Sequence, residues 1–321
     1  MNNINATVLV TGGTGFLGSH IILQLLQKGY KVRTTLRSLT RKDDIINMLK
    51  AGGITDFENL SFVEANLIKD DNWDKAVQGC DYVQHVASPF PVQEPKDENE
   101  LIIPARDGAL RVLKAARDAG VKRMVLTSSF AAIGYSIDPK NHIFTENDWT
   151  DPNTSIPPYI KSKTIAEKAA WEFIQKEGGA LELTVINPVG IFGPVLGKDY
   201  SASINYIDAI LKGIIKETPP ITFGVVDVRD VADIQISAMK HPAAAGERFL
   251  ATSDGAVSFY DVAELIKKER PKLADSIADL QPIDFSLYSQ LSNHKARTVL
   301  NWNPRSKEEA ILASVDSLQK L

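Results

Sequence analysis

Short runs of β-branched and aliphatic residues alternate along this chain with longer stretches whose apolar positions recur every three or four residues. The first run, "ATVLVTG" (6–12), is almost continuously apolar and ends in glycine, the pattern of a parallel strand covered on both faces. The next stretch, "LGSHIILQLLQKG", has helical spacing and stops at Gly29. Further strands are predicted at "KVRTTLR" (31–37), "LSFVEAN" (60–66), "DYVQHVA" (81–87), "KRMVLTSS" (122–129) and "LELTVINP" (181–188). A long helix is predicted over about 98–119, ending at Gly120, and "KTIAEKAAWEFIQKEGG" (163–179) continues a helix begun near Tyr159. Strands alternating with helices predict an α/β fold, a doubly wound parallel sheet with helices on both faces.

The rhythm breaks after Pro188. Residues 189–223 carry Gly190, Gly193, Pro194, Gly197, Pro219 and Pro220 around one predicted helix, "YIDAILKGIIK" (206–216). "DVRDVADIQISAMK" and "GERFLAT" then resume a helix and a strand, and the segment from about 253 reads as mostly helical. The expected organisation is a dinucleotide-binding domain of 1–188 and 224–252 and a smaller, discontinuous substrate-binding domain of 189–223 and 253–321. The chain has 321 residues, about two domain-sized units. Apolar residues make up 44% and charged residues 24%, ordinary proportions for a soluble globular protein. The single cysteine, Cys80, excludes an internal disulfide framework. The five histidines show no metal spacing, and a net charge of −4 offers no basic footprint for nucleic acid. With no apolar run long enough for a membrane span and no leader pattern in "MNNINATVLV", a cytoplasmic protein is expected.

Residues 11–18, "TGGTGFLG", change the picture. Gly13, Gly15 and Gly18 fit G-x-G-x-x-G, and Gly12, Gly15 and Gly18 fit a looser form of it. The motif lies between the first strand and first helix, where glycines permit a tight turn and close approach of a pyrophosphate to the helix N-terminus. At the end of the second strand, where an acidic side chain would bind the ribose 2′-hydroxyl of NAD, stands Arg37, followed by Ser38, Arg41 and Lys42. A guanidinium pairs with a 2′-phosphate through two hydrogen bonds, so NADP (as NADPH) is the expected cofactor. Asn66 and Leu67 after the third strand, and Ala87 and Ser88 after the fourth, stand where cofactors of such sheets bind.

"YIKSK" (159–163) places Tyr159 and Lys163 four residues apart, on one face of a helix. The pair alone is as well explained by a lysine stem lying over a ring. Taken together, "TGGTGFLG", "HVASPF", "TSS", "YIKSK" and "INPVGIFGP" resemble the extended short-chain dehydrogenase/reductase family. "VRTTLRS" and "VDVRDVAD" resemble most its dihydroflavonol-reductase-like branch, which includes microbial aldehyde, ketone and methylglyoxal reductases. The likeness spans most of the chain and weakens after about 255. It implies a Rossmann-type fold and a catalytic Ser129, Tyr159 and Lys163, with Ser128 a neighbour that could share the serine's part. It implies cofactor contacts from Thr14, Phe16, Leu17, Tyr159, Lys163, Pro188, Val189, Ile191 and Ser203, the last equally readable as a helix cap. Two departures stand out: Asn66 replaces a customary aspartate, and "INP" (186–188) replaces the Arg-Pro of many sugar-processing members.

The chemistry so implied is reduction of a small, mainly apolar aldehyde or ketone. Tyr159 donates the proton, and Lys163 lowers its pKa from the ordinary value near 10. Phe130 and Ala131 in the long connection 130–158, Phe90 and Tyr206 are candidate substrate contacts, with packing as the other reading. Asp227 and Asp230 read as helix caps, and His20 and His85 as packing or helix-surface residues. A nucleotide-sugar epimerase or dehydratase and a non-catalytic NADP-sensing protein are the competing functions, and a monomer or homodimer is expected.

Overall fold

Runs that are apolar on both faces must be covered twice, so they pair as a parallel sheet whose crossovers are helices. The computed structural model describes residues 5–89, 95–198 and 200–320. β1 (Thr7–Thr11) leads to α1 (Phe16–Gln27), β2 (Lys31–Leu36) to α2 (Lys42–Ala51), and β3 (Leu60–Glu64) to the short α3 (Trp73–Val77). β4 (Tyr82–His85) precedes α4 (Asn99–Asp118), and β5 (Arg123–Thr127) precedes a long connection holding the two-residue β6 (Ile143–Phe144). Then come α5 (Pro158–Glu177), β7 (Glu182–Pro188), β8 (Gly190–Phe192), α6 (Ala202–Leu211), β9 (Phe223–Asp227), α7 (Val228–Lys240) and β10 (Arg248–Ala251). The chain closes with β11 (Ala256–Val257), α8 (Phe259–Glu269), β12 (Gln290–Leu291), α9 (His294–Leu300) and α10 (Lys307–Leu318).

Seven strands form the main sheet in the order β3-β2-β1-β4-β5-β7-β10, every pairing parallel. The order reverses between β1 and β4, and ligands of doubly wound sheets bind outside the carboxyl ends of the strands at such a switch point. One core packs one face of the sheet against α1, α2 and α7 through Ile21, Ile22, Ile45, Val231 and Ile234. Another packs the other face against α4 and α5 through Leu113, Val112, Ala170 and Phe173. A third core joins Phe192, Ile207 and Ile210 to Val262, Ile266 and Ile311, uniting α6, α8 and α10. It lies beside a three-stranded sheet ordered β11-β9-β8.

The six strands expected up to residue 188 all form, with ends within about three residues of those expected. The helix expected over 206–216 is displaced. α6 starts at Ala202, where Ser201 Oγ accepts the Ile204 N–H, and it ends at Leu211. Gly213 takes a φ of +63°, and a Cβ there would lie 2.6 Å from the Ser276 carbonyl oxygen, so the chain turns out of the helix. Lys212, at the end of α6, pairs with Asp208 one turn back. Ser201, not Ser203, is the cap.

Candidate active site

The loop after β1 is shaped by backbone contacts that exclude side chains. Gly12 has a φ of +74° and faces Ala87 after β4, where a Cβ would come within 3.0 Å of the Ala87 Cα. A Cβ on Gly18 would sit 2.2 Å from the Gly12 carbonyl oxygen, so the first turn of α1 lies directly on the loop. Gly15 is the N-terminal flanking residue of α1, and no side chain caps that end. The first-turn amides of Phe16 and Leu17 are thus left for an external acceptor at the positive end of the helix. Thr11 joins the two strand ends at the switch point: its Oγ1 accepts the Val86 and Ala87 N–H groups (3.1 and 3.0 Å) and bonds His85 Nδ1 at 2.9 Å. Burial lowers the His85 imidazole to about 3, the Lys163 charge adding to the effect. His85 is therefore neutral at working pH.

Arg37 follows β2 directly and is exposed, and no carboxylate pairs with it among the described residues. Arg41, by contrast, is engaged by Asp44 at 2.8 Å, and Lys42 lies over the Phe62 ring. Asn66 Oδ1 accepts the Ile68 N–H. Leu67 fits against Gly108 of α4, where a Cβ would approach its side chain to 3.1 Å. These contacts hold the turn after β3 against α4. The uncapped helix, the glycine-lined bend and the uncommitted guanidinium suit a phosphorylated dinucleotide.

Pro158 opens α5, and its missing N–H costs nothing in a first helical turn. Tyr159 follows at once. Its side chain hydrogen-bonds Ser129, which lies just past β5 and caps the 130–132 turn by accepting the Ala131 N–H at 3.1 Å. Lys163 lies one turn on, its Nζ 5.9 Å from the Tyr159 ring centroid. The expected lowering of the tyrosine pKa is not found. Burial pushes the Tyr159 phenol up to about 12, the Ser129 hydrogen bond opposing the rise. Lys163 lies beside the ring and is itself lowered to about 8 by burial, with the Glu167 carboxylate pulling it back up.

Other expectations are redistributed. Ser128 cannot share the part given to Ser129, because its hydroxyl donates to buried Glu167 Oε2 at 2.5 Å. Ser203 lies inside α6 next to Gly190. Pro188 closes β7, Val189 donates its N–H to the Ala251 carbonyl at 3.2 Å, and the Ile191 carbonyl accepts from Ser201. Asp227 does cap α7 and also pairs with Arg229, whereas Asp230 lies within the helix and binds Arg305. His20 is buried and bonded to the Pro194 carbonyl. Phe130 packs edge-on against Phe144, and Ala131 is buried with its carbonyl on Thr164. Tyr206 is half exposed against Phe259. Phe90 lies outside the described residues.

Sequence reasoning missed Tyr135, which is 53% exposed, packs on Phe130 and lies close enough to both Tyr159 and Tyr206 to feel their charges. It also missed Thr11, Asn187, Glu167 and Arg248. Only Glu167 carried a local signal, since it continues the spacing of Tyr159 and Lys163 by one more turn.

A family model described as the NAD dependent epimerase/dehydratase family matches residues 8–251. A cinnamoyl-CoA reductase of Medicago truncatula is 32% identical over 99% of this chain and 97% of its own length. A dihydroflavonol 4-reductase of Zea mays is 31% identical over 87% and 80%. The crystal structure of a yeast methylglyoxal/isovaleraldehyde reductase complexed with NADPH superposes with a TM-score of 0.86 at 28% identity, covering 98% of each chain. Among the described residues no helix is long and apolar enough to cross a membrane.

Proposed function

Because this chain belongs to the NAD dependent epimerase/dehydratase family, we propose that it is an NADPH-dependent reductase of small, mainly apolar aldehydes and ketones, with Tyr159 as proton donor. It is an NADP-dependent oxidoreductase of the branch that holds the dihydroflavonol and methylglyoxal reductases. The observation that carries the finer reading is the Tyr159 hydroxyl bonded to Ser129 at the mouth of the sheet, with buried Lys163 one turn away. NADPH supplies the hydride. The cofactor's phosphates would rest on the amides of Thr14 to Leu17 around Gly12, Gly15 and Gly18, and its 2′-phosphate on Arg37, with Lys42 nearby. Ser129 and Tyr159 would both hydrogen-bond the carbonyl oxygen, and Tyr159 would release its proton to that oxygen as negative charge develops there. Lys163 would hold the nicotinamide ribose and offset the charge left on the phenol.

Phe130, Tyr135 and Tyr206 offer flat, mainly apolar surface with a few hydroxyl anchors, a lining suited to a carbonyl compound. A nucleotide sugar would instead require strong donors for a diphosphate, and arginine's planar fork is the favoured one. No arginine occurs between Arg123 and Arg229. Arg229 is held by Asp227, and Arg248 by Glu167. A side-by-side assay of aromatic and aliphatic aldehydes, keto esters and UDP- or dTDP-sugars tests this. Simple carbonyls are expected to turn over with the higher kcat/KM, and a nucleotide sugar that outperforms all of them would make the protein an epimerase or dehydratase.

Cofactor choice gives a separate expectation. An exposed guanidinium bonded to a charged phosphate contributes about 1.5–3 kcal/mol, so NADPH should be favoured over NADH by about tenfold to a hundredfold. Arg37→Asp should erase or invert that ratio in kcat/KM. Equal efficiency with both cofactors in the unaltered protein would remove Arg37 from the reading.

A further inference from the structure

We propose that Glu167 is a positioning residue of this active site, a buried carboxylate that locks the ends of β5 and β7 to α5 and supplies the counter-charge of Lys163. The inference rests on the reductase reading above.

The carboxylate has 0% side-chain exposure, and it accepts from three elements at once. Ser128 Oγ and Asn187 Nδ2 donate to Oε2 at 2.5 and 2.7 Å, and Arg248 Nε donates to Oε1 at 2.6 Å. Trp171, one turn further along α5, donates its indole N–H to Oε1 at 3.3 Å. The same Asn187 amide also donates to the Ser129 carbonyl at 3.1 Å, so the residue that meets the Tyr159 hydroxyl is fixed through Glu167. Arg248 in turn stacks on Trp149 at 3.6 Å and donates to the Glu146 and Asp148 carbonyls. That anchors the connection leading into α5.

The charge matters as much as the scaffold. An ammonium buried without a counter-charge loses its proton. Tyr159 and Glu167 flank Lys163 on its own helix. From β4 the neutral His85 lies near enough to feel its charge, Arg248 of β10 is paired with Glu167, and among the described residues Glu167 is the one carboxylate that acts on Lys163. Glu167 is thus the negative charge that keeps Lys163 protonated, and Lys163 is lowered to about 8 even so.

The test measures NADPH dissociation constants and the kcat/KM of aldehyde reduction from pH 6 to 9.5, with thermal unfolding as a control for folding. The unaltered protein should lose activity as pH rises through about 8. In Glu167→Gln the alkaline limb should move down by about one pH unit, about a fivefold loss at pH 8 that approaches tenfold at pH 9.5, with a much smaller loss at pH 6. This variant leaves Arg248 uncompensated and should unfold at lower temperature. Glu167→Gln/Arg248→Gln should recover stability without recovering the limb, and Glu167→Asp, which keeps the charge, should leave the limb in place while lowering kcat.

A double variant whose limb returns with its stability, or an aspartate variant shifted as far as the glutamine one, would reduce Glu167 to a structural part and overturn the proposal. Lys163→Ala separates the two readings. If it leaves NADPH binding and turnover intact, the assignment of Lys163 fails. If it is impaired while Glu167→Gln keeps the parental profile, only the proposal for Glu167 fails.

Discussion

Tyr159→Phe should lower turnover by about 10²–10⁴-fold, the range of general acid–base assistance, with NADPH affinity largely unchanged. The substitution keeps the ring, its place at the start of α5 and the lysine beside it, and removes one hydroxyl. Because burial holds the phenol up to about 12, it is protonated throughout the neutral range and is an acid in the reducing direction. With the hydroxyl gone, Ser129 still donates a hydrogen bond to a carbonyl oxygen but has no proton to release at that pH. The loss should therefore fall on kcat. Steady-state assays with a saturating aldehyde, paired with fluorescence titration of NADPH, separate the two quantities. Near-normal turnover would take Tyr159 out of the mechanism.

Gly18→Ala should weaken NADPH binding by about tenfold to a hundredfold or more. The added methyl would sit 2.2 Å from the Gly12 carbonyl oxygen and 2.9 Å from its carbon. Those are backbone atoms and cannot swing aside, so either the loop or the first turn of α1 must shift. Overpacking of this kind costs about 1–3 kcal/mol, and here the displaced groups are the ones offered to the pyrophosphate. Gly29→Ala is the control: Gly29 also has a positive φ, at +84°, but its Cβ would meet nothing within 4 Å. It should lower the unfolding temperature modestly and leave the NADPH dissociation constant alone. Equal damage to binding from both variants would mean that the glycine loop does not hold the cofactor.

Much of this molecule was legible in the chain because its information is local. A parallel strand covered on both faces is written as a continuous apolar run, and the strands and helices up to Pro188 form where those runs predict them. The β1–α1 loop is legible because a left-handed turn and a backbone close approach admit almost no residue but glycine. Tyr159 and Lys163 are legible as a pair because helical periodicity brings i and i+4 together without reference to the rest of the fold.

Only the tertiary structure decided what surrounds them. The pKa of Tyr159 goes up, not down, because burial is a property of packing and here outweighs the Ser129 hydrogen bond that opposes it. The Ser276 carbonyl, 63 residues past Gly213, closes on the turn that ends α6, where a Cβ would lie 2.6 Å from it, a contact no local pattern announces. Ser128 and Ser129 are adjacent and chemically alike, yet one points to Glu167 and the other to Tyr159, since consecutive side chains leave a strand end on opposite sides. Arg248 reads as one charge in an apolar strand until the parallel register sets it opposite Val185 and Leu250 opposite Asn187. The sheet pairings bring a guanidinium, an amide and a serine onto one carboxylate, and a buried charge is kept only where a counter-charge and hydrogen-bond donors converge on it.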